Sequence, residues 1–413
     1  MNKNVLSRFL RSIVKRGTLE VVYADGSIDA FGAFDDDFPD VAIRFTDGDV
    51  PRDILLDPRL GAAEAFMDGR LLMERGGIMD LVHLLRANGP WDKGGELRGP
   101  TLGGKIANRA AFAWESLNNS VRSKSNVAHH YDIGNDLYRL MLDPEHMQYS
   151  CGYWPEGVNT LAEAQKAKLA HIAAKMFIQP GQRVLDIGCG WGGMAIFIAR
   201  HYDVRVLGIT LSEEQLALAR ERAEEAGVGD KVRFELIDYR DLPSRGEQFD
   251  RIVSVGMFEH VGRPQFETFF ETCGNLLASD GVMLVHTIGR FGKPGTTDAF
   301  TRNYIFPGGY IPALSETLAA SEKYRLIHTD IETWRLHYAR TLRAWYANCE
   351  ANRDAIVAMY DERFYRMWIF YLAGATAAFE WGGMGNYQIQ YARNRRALPL
   401  SRDYMAETEQ RLR

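Results

Sequence analysis

A chain of 413 residues is long enough for two or three domains with at least one substantial core. Its composition, with 46% hydrophobic and 25% charged residues, is close to the globular average, and its net charge of -5 disfavours both disorder and nucleic-acid binding. Its four cysteines are far apart and without CxxC spacing, which argues against a disulfide scaffold and a zinc site.

The first segment, "MNKNVLSRFLRSIVKRG", lacks the apolar core and cleavage site of a signal peptide. Its apolar residues recur at helical spacing between basic ones, which fits a helix on an anionic membrane or one packed on its own domain. Two β-like runs follow, "LEVVYA" and "VAIRFT", then a helical pattern from about Ala62 to Ala87. We therefore predict a small N-terminal α+β domain, lipid- or membrane-associated, over residues 1–95.

A Gly- and Pro-rich stretch predicts a linker at 96–125, followed by a second, larger domain at 126–413. From about residue 182, apolar strands alternate with amphipathic helices, which predicts a doubly wound α/β sheet of parallel strands. Ligands of such sheets bind beyond the carboxyl ends of the strands. The apolar run from Met367 to Phe379 is too short to cross a bilayer and is predicted to be a buried core helix.

The stretch "VLDIGCGWGG" places Asp186 at a strand end, before a turn that contains Gly188 and Gly190. Glycines let the backbone approach a ligand closely, and the spacing also satisfies the dinucleotide fingerprint. An NAD site needs an acid after the next strand, but "GITLS" has Thr210 and Ser212 there. The order D-x-G-x-G-x-G, with "LIDYRD" after the third strand, instead resembles that of S-adenosylmethionine-dependent methyltransferases, and this resemblance favours S-adenosylmethionine over a dinucleotide.

Four further polar residues are candidates for the chemistry, and each also has an ordinary structural explanation. Cys151 lies in "MQYSCGYW", Glu259 and His286 follow the fourth and fifth strands, and Tyr338 lies in "HYARTLRAW". The two residues at strand ends are expected to face the ligand crevice. His260, next to Glu259, is expected to point away from it.

Taken in order, the motifs resemble the cyclopropane-fatty-acyl-phospholipid synthases and their mycolic-acid cyclopropane relatives. The matching stretches, over about 125 to 390, include "HHYDIGNDLYRLMLD", "QYSCGYW", "TLAEAQKAKL", "VLDIGCGWGG", "FDRIVSVGMFEHVG", "LVHTIG", "YIFPGGYIP" and "RTLRAW". The resemblance implies a class I methyltransferase (Rossmann-like) fold. It also implies methylene transfer from S-adenosylmethionine to a cis double bond of an acyl chain.

The resemblance also implies the site residues. A bicarbonate ion would be held by Cys151, Glu259, His286 and Tyr338, with the backbone of Ile288 close by. The residues implied in cofactor binding are Tyr149, Ser150, Gly188, Gly190, Thr210, Gln215, Asp238 and Tyr239. Asp186, at the strand end before the glycine turn, is predicted to bind the cofactor with them.

The chemistry of an isolated alkene agrees with such a site. Methyl transfer to one olefinic carbon leaves a cation, which closes to a ring when a base removes a proton from the new methyl group. Glu259 would orient the bicarbonate base or act as the base itself, and both roles remain open. Water must be excluded, and aromatic faces stabilise cations. Rings near the polar groups in sequence are candidates for this or for core packing: Tyr149, Tyr153, Trp154 and Phe258.

The segment at about 290–340 is predicted to be a lid insertion over the crevice, the alternative being a plain surface loop. Basic residues near the C-terminus would bind lipid phosphates or form a solvated tail. These are Arg393, Arg395, Arg396 and Arg402.

The N-terminal domain favours a phospholipid substrate, because the mycolic-acid members of the family lack it. We expect a cytoplasmic protein on the inner face of a phospholipid membrane, and a homodimer is left open. The alternatives are methyl-branched or exomethylene products from the same acyl chains, and a non-catalytic lipid-binding module.

Overall fold

The computed structural model describes residues 2–95 and 134–413, so the predicted linker at 96–125 lies outside the described residues. The described chain divides into two compact units. The first comprises 2–95, 296–307 and 342–384, and the second comprises 134–295, 308–341 and 385–413.

The first unit contains a four-stranded sheet, β1 to β4, with the order β2-β1-β3-β4. β1 and β3 are parallel, and the outer pairings are antiparallel. The strands are Gly17–Val22, Ile28–Ala33, Asp40–Phe45 and Leu71–Arg75. The helices are Asn2–Ile13, Val50–Leu56, Pro58–Met67, Ile78–Ala87, Arg353–Met359 and Glu362–Glu380. The helix His337–Ala351 begins in the second unit and continues in the first.

The helical pattern predicted from about Ala62 to Ala87 is interrupted by a strand. Two helices flank the strand Leu71–Arg75, because the chain turns at Gly69 and Gly76, which adopt φ angles of 71° and 74°. The buried helix predicted around 367–379 is confirmed, with Trp368 and Leu372 fully buried. In the first helix Leu6 and Leu10 are also buried, which favours packing on its own domain over a membrane-bound helix.

The domain boundaries differ from the prediction that 126–413 forms one domain with a lid at about 290–340. Helix Glu362–Glu380 packs on Pro58–Met67 and Ile78–Ala87 in the first unit. There the Tyr304 hydroxyl also donates a hydrogen bond to Glu64 at 2.8 Å. Residues 308–341, in contrast, supply a helix and an edge strand to the second unit. The stretch predicted as a lid is therefore built into two units.

The second unit is built on a seven-stranded sheet, β5 to β11, with the order β10-β11-β9-β8-β5-β6-β7. The pairings from β9 to β7 are parallel, and β10 is antiparallel to β11. The strands are Arg183–Ile187, Arg205–Thr210, Val232–Leu236, Phe249–Val255, Leu277–Arg290, Ile327–Trp334 and Met384–Ala392. The helices are Asn135–Met141, Leu161–Met176, Gly193–His201, Glu213–Glu225, Phe266–Leu276, Leu314–Glu322 and Asp403–Leu412.

Alternate residues of the central strands enter two apolar clusters on opposite faces of this sheet, which confirms the predicted doubly wound fold. Val184 and Val253 belong to one cluster, and Leu185 and Ile252 belong to the other. The strand order changes direction between β5 and β8, and such a switch point leaves a crevice at the carboxyl ends of the strands. Among the described helices, none has an apolar stretch long enough to span a bilayer.

Candidate active site

A pocket lies at the carboxyl ends of β5, β6, β7 and β8 in the second unit, at the predicted switch point. The segment 147–150 forms a further wall. Every cofactor-binding residue predicted from the sequence lines this one pocket: Tyr149, Ser150, Asp186, Gly188, Gly190, Thr210, Gln215, Asp238 and Tyr239.

Two glycines of the turn after β5 are required by close packing. Gly188 has a φ of 79°, and a Cβ atom there would lie 2.7 Å from the side chain of Met257. A Cβ at Gly193 would lie 2.3 Å from both the Gln148 amide nitrogen and the His146 carbonyl oxygen. No larger residue fits at either position, so the glycines keep the pocket open and let segment 147–150 lie on the start of helix Gly193–His201.

The end of the pocket at β6 and β7 is polar. The Thr210 hydroxyl donates to Gln215 Oε1 at 2.9 Å. Asp238 accepts from Arg240 Nε at 2.8 Å and from Arg240 Nη2 at 2.6 Å. Arg240 also lines the pocket and was missed by the sequence analysis, although it directly follows the predicted pair Asp238 and Tyr239.

Glu259 is held against β9. Its Oε1 atom accepts from the backbone N–H of Ile288 at 2.6 Å, so the structure brings these two residues into direct contact. Burial raises the pKa of Glu259 to about 7. Its second oxygen, Oε2, is buried and has no hydrogen-bond partner among the described residues. Such an atom is suited to accept a proton or a hydrogen bond from a ligand.

The expected orientation of His260 is wrong, since it lines the pocket. Glu259 and His260 lie in a short 3-10 turn, Phe258–His260, in which successive side chains point to different sides. Glu259 faces Ile288, and His260 therefore faces the ligand space. Burial lowers the pKa of His260 to about 4, so its ring is neutral at physiological pH.

His286 lies between two amide side chains of β11. Its Nε2 atom is 3.0 Å from the Asn386 amide nitrogen, and its Nδ1 atom is 3.0 Å from that of Gln388. Burial holds the pKa of His286 well below its usual range, so the ring is neutral. A neutral imidazole has one N–H and one lone pair, and an amide nitrogen can only donate, so one of the two amides must present its oxygen to the ring N–H in place of its nitrogen. Both ring nitrogens are therefore in use.

Cys151 and Tyr338 are buried in the same unit. Burial holds the pKa of the Cys151 thiol well above its usual value, so the residue is a thiol that donates to the Gly152 carbonyl at 3.4 Å. The Gly152 N–H donates to the Thr341 hydroxyl at 3.0 Å. Thr341 lies one turn after Tyr338 on the same helix and thereby links segment 151–152 to that turn.

Two donors of the predicted bicarbonate site already have partners within the protein. A buried anion needs hydrogen-bond donors. The Ile288 N–H already donates to Glu259, and both ring nitrogens of His286 are paired with amides. Glu259 Oε2 fits the hydroxyl of the ion, but these two predicted donors are engaged elsewhere. These two groups must therefore change partners before they can bind bicarbonate.

The rings predicted to surround a cation lie in four different environments. Tyr149 packs against Tyr138 at a centroid distance of 5.1 Å. Tyr153 stacks on Trp334 at 4.8 Å. The Trp154 ring lies under the Arg340 guanidinium, and Phe258 stacks on Phe266 within the apolar core. Core packing therefore explains Phe258.

The chain is similar to known proteins over most of its length. The family model described as mycolic acid cyclopropane synthetase matches residues 118–389. The cyclopropane-fatty-acyl-phospholipid synthase of Escherichia coli (strain K12) is 40% identical over 85% of this chain and 87% of its own. A probable fatty acid methyltransferase of Pseudomonas putida is 42% identical over 68% of this chain and 73% of its own.

Solved structures agree with this relationship. The cyclopropane synthase MmaA2 from Mycobacterium tuberculosis superposes with a TM-score of 0.62 at 33% identity, covering 67% of this chain and 99% of that one. The mycolic acid cyclopropane synthase CmaA1, complexed with SAH and CTAB, gives a TM-score of 0.61 at 33% identity, covering 65% and 98%. The predicted class I methyltransferase fold and family resemblance are thus confirmed, and the chain belongs to the mycolic acid cyclopropane synthetase family.

Proposed function

We propose that this protein transfers a methylene group from S-adenosylmethionine to the cis double bond of an unsaturated phospholipid acyl chain, forming a cyclopropane ring. The observation that carries the proposal is the convergence of all predicted cofactor residues on one pocket at the switch point of the sheet. Glu259, a buried carboxylate with one unpaired oxygen, follows the pocket-lining residue Met257 closely in the chain. The relatives named above support the same reaction class.

S-adenosylmethionine supplies an electrophilic methyl group when bound. The alkene electron pair forms the new carbon–carbon bond, and the carbon–sulfur bond breaks toward sulfur. Ring closure then requires a base that removes one proton from the new methyl group, leaving the C–H electron pair to form the second ring bond. Glu259 fits this role, because the Ile288 N–H orients Oε1 and leaves Oε2 as the free acceptor.

The bicarbonate ion implied by the resemblance is a second candidate for the base, with Cys151, Glu259, His286, Ile288 and Tyr338 as its ligands. For this role His286 must exchange a bond with Asn386 or Gln388, and the Ile288 N–H must be released from Glu259. Activity in buffer depleted of carbon dioxide separates the two bases. Undiminished turnover supports Glu259, and turnover that returns only on adding bicarbonate supports the ion.

A phospholipid membrane surface is the proposed partner, with the protein bound peripherally to the inner face. In the second unit Arg325, Arg393 and Arg395 line one surface groove. Guanidinium groups bind phosphate oxygens with two parallel hydrogen bonds, so the groove suits lipid phosphates. Arg402, which the sequence grouped with them, instead pairs with Asp330 at 2.7 Å.

The deciding experiment incubates the protein with methyl-labelled S-adenosylmethionine and vesicles of unsaturated phospholipid. The fatty esters released from the lipid are then identified by mass spectrometry and NMR. A labelled cyclopropane ring is the expected product. A labelled methyl-branched or exomethylene chain would show methyl transfer without ring closure. An unlabelled lipid would favour the alternative of a non-catalytic lipid-binding module.

A further inference from the structure

A lysine that the chemistry above does not use is buried beside the pocket. Lys168 lies on the helix Leu161–Met176 and is fully buried. Its ammonium group donates to Gln148 Oε1 at 2.5 Å and to the Ser150 hydroxyl oxygen at 2.8 Å. Burying an ammonium group is costly, and an apolar residue would fill this helix position at lower cost. Both acceptors of the Lys168 ammonium group belong to the pocket wall, so we looked for the role of this charge in the pocket.

The wall segment is fixed at further points, one of which lies on the same helix. Gln165, one turn before Lys168, donates from its amide to the Ser150 carbonyl at 3.0 Å. Asp143 accepts from the backbone N–H groups of His146 and Gln148 at 2.7 and 3.1 Å. Ser150 is thus held at its carbonyl by Gln165 and at its hydroxyl by Lys168.

The Lys168 bond sets the direction of the Ser150 hydroxyl proton. An ammonium group has no lone pair, so the Ser150 oxygen must act as the acceptor in this contact. The hydroxyl proton of Ser150 is then available for an acceptor on the pocket side. Ser150 lines the pocket next to Gly256 at the end of β8, where a Cβ would lie 3.6 Å from the serine Cβ.

Charge indicates which part of a ligand would lie there. At the β7 end of the pocket, Asp238 is paired with Arg240, so that end holds no unmatched positive charge for a carboxylate. At the β8 end, Lys168 is the buried cation behind Ser150, and the Asp186 carboxylate also lines the pocket. A carboxylate facing Ser150 and an ammonium facing Asp186 complement this arrangement, which is the pattern of an amino-acid group.

We propose that Lys168 is a positioning residue, which orients the Ser150 hydroxyl so that it donates to the carboxylate of the amino-acid group of the cofactor. This inference rests on the proposed use of S-adenosylmethionine and assigns a role inside its site. Burial lowers the pKa of Lys168 to about 7, while Asp143 and Asp186 favour its charged form. The lysine is an indirect contributor, because its hydrogen bonds end on Gln148 and Ser150.

The test compares two ligands by calorimetry. S-adenosylhomocysteine carries the amino-acid group, and 5'-methylthioadenosine keeps the nucleoside and the sulfur but lacks that group. Lys168→Met should weaken S-adenosylhomocysteine binding by about tenfold, the size expected for a hydrogen bond to a charged group, and change methylthioadenosine binding by less than about twofold. Lys166→Met, two positions earlier on the same helix, is the matched control and should bind both ligands as the wild type does.

A double-mutant cycle tests the connection through Ser150. Ser150→Ala should cost about tenfold for S-adenosylhomocysteine in the wild type but less than about twofold when Lys168→Met is already present. Equal losses for both ligands, or additive losses in the cycle, would overturn the proposal.

If Lys168→Met does not fold, Lys168→Gln takes its place, because it removes the charge and keeps a polar side chain at the buried position. A loss confined to S-adenosylhomocysteine supports the proposal, and an equal loss for both ligands refutes it. A wild-type protein that fails to bind S-adenosylhomocysteine refutes the proposed function itself, whereas wild-type binding with an unaffected Lys168→Met variant refutes only this inference.

Discussion

The carboxylate of Glu259 receives the backbone N–H of Ile288 at 2.6 Å on one oxygen and leaves the other oxygen buried and unpaired. The bond joins the turn after β8 to β9. It therefore fixes the side chain through Oε1 and leaves Oε2 as the acceptor, which is the arrangement expected of a base that receives a proton on one particular oxygen.

Replacing the Oε2 acceptor of Glu259 should stop the reaction without weakening cofactor binding. Glu259→Gln keeps the size and an oxygen for Ile288 but cannot accept the proton, so we expect kcat to fall by about 10²- to 10⁴-fold. Affinity for S-adenosylhomocysteine should be unchanged, because Glu259 is not among the pocket-lining residues. Glu267→Gln, a surface acid paired with Lys323, is the control and should retain full activity. Full turnover in Glu259→Gln would remove this residue from the mechanism.

Glu259 should also make stability depend on pH. Its pKa rises from 4.5 in the unfolded chain to about 7 in the folded protein because of burial, so the folded state binds the proton more tightly. This contribution is fully present below pH 4.5 and is lost as pH rises through 7. As the pH rises, the wild type should therefore lose up to about 3 kcal/mol of unfolding free energy. The Glu259→Gln variant should not show this loss, because glutamine does not titrate.

Urea denaturation of both proteins at pH 5 and pH 8 measures this difference. The unfolding free energy of the wild type minus that of Glu259→Gln should be lower at pH 8 than at pH 5. A difference that does not change between the two pH values would mean that Glu259 titrates near its ordinary pKa in the folded protein.

The sequence located the pocket because its residues follow the ends of parallel strands, which converge at one edge of a sheet. Asp186, Thr210, Asp238 and Glu259 could be placed in this way. The amide partners of His286 could not, because Asn386, Gln388 and Gln390 are polar residues in the buried strand β11 and give no apolar strand signal.

Lys168 was missed for a similar reason. In "TLAEAQKAKL" it follows Lys166 at a short interval, and nothing local to the helix distinguishes the buried lysine from the more exposed one. Its burial results from the contact with segment 147–150, which is distant in sequence. Which of Glu259 and His260 lines the pocket depends on a single 3-10 turn, which hydrophobic periodicity does not predict.

The amide pair around His286 should contribute to stability. Gln388→Leu keeps the approximate volume but leaves one buried ring nitrogen unpaired, which should cost about 1 to 3 kcal/mol of unfolding free energy. The exposed Gln410 offers a matched control, since Gln410→Leu should change the stability by less than about 0.5 kcal/mol. Urea denaturation measures both variants. Equal stability of Gln388→Leu and the wild type would show that the ring does not depend on this amide.

The arginine groove should matter for membrane binding rather than for cofactor binding. Removing Arg393 and Arg395 together should weaken binding to vesicles that contain anionic phospholipid by roughly 30-fold, at about 1 kcal/mol for each charge near the surface. The control removes two exposed arginines at the opposite edge of the sheet, with Arg205→Ala and Arg233→Ala on β6 and β7. Cosedimentation at rising salt measures the loss, because contacts with phosphates weaken as ions screen them. Equal losses in the two double variants would point to net charge rather than the groove, while S-adenosylhomocysteine affinity should stay unchanged in both.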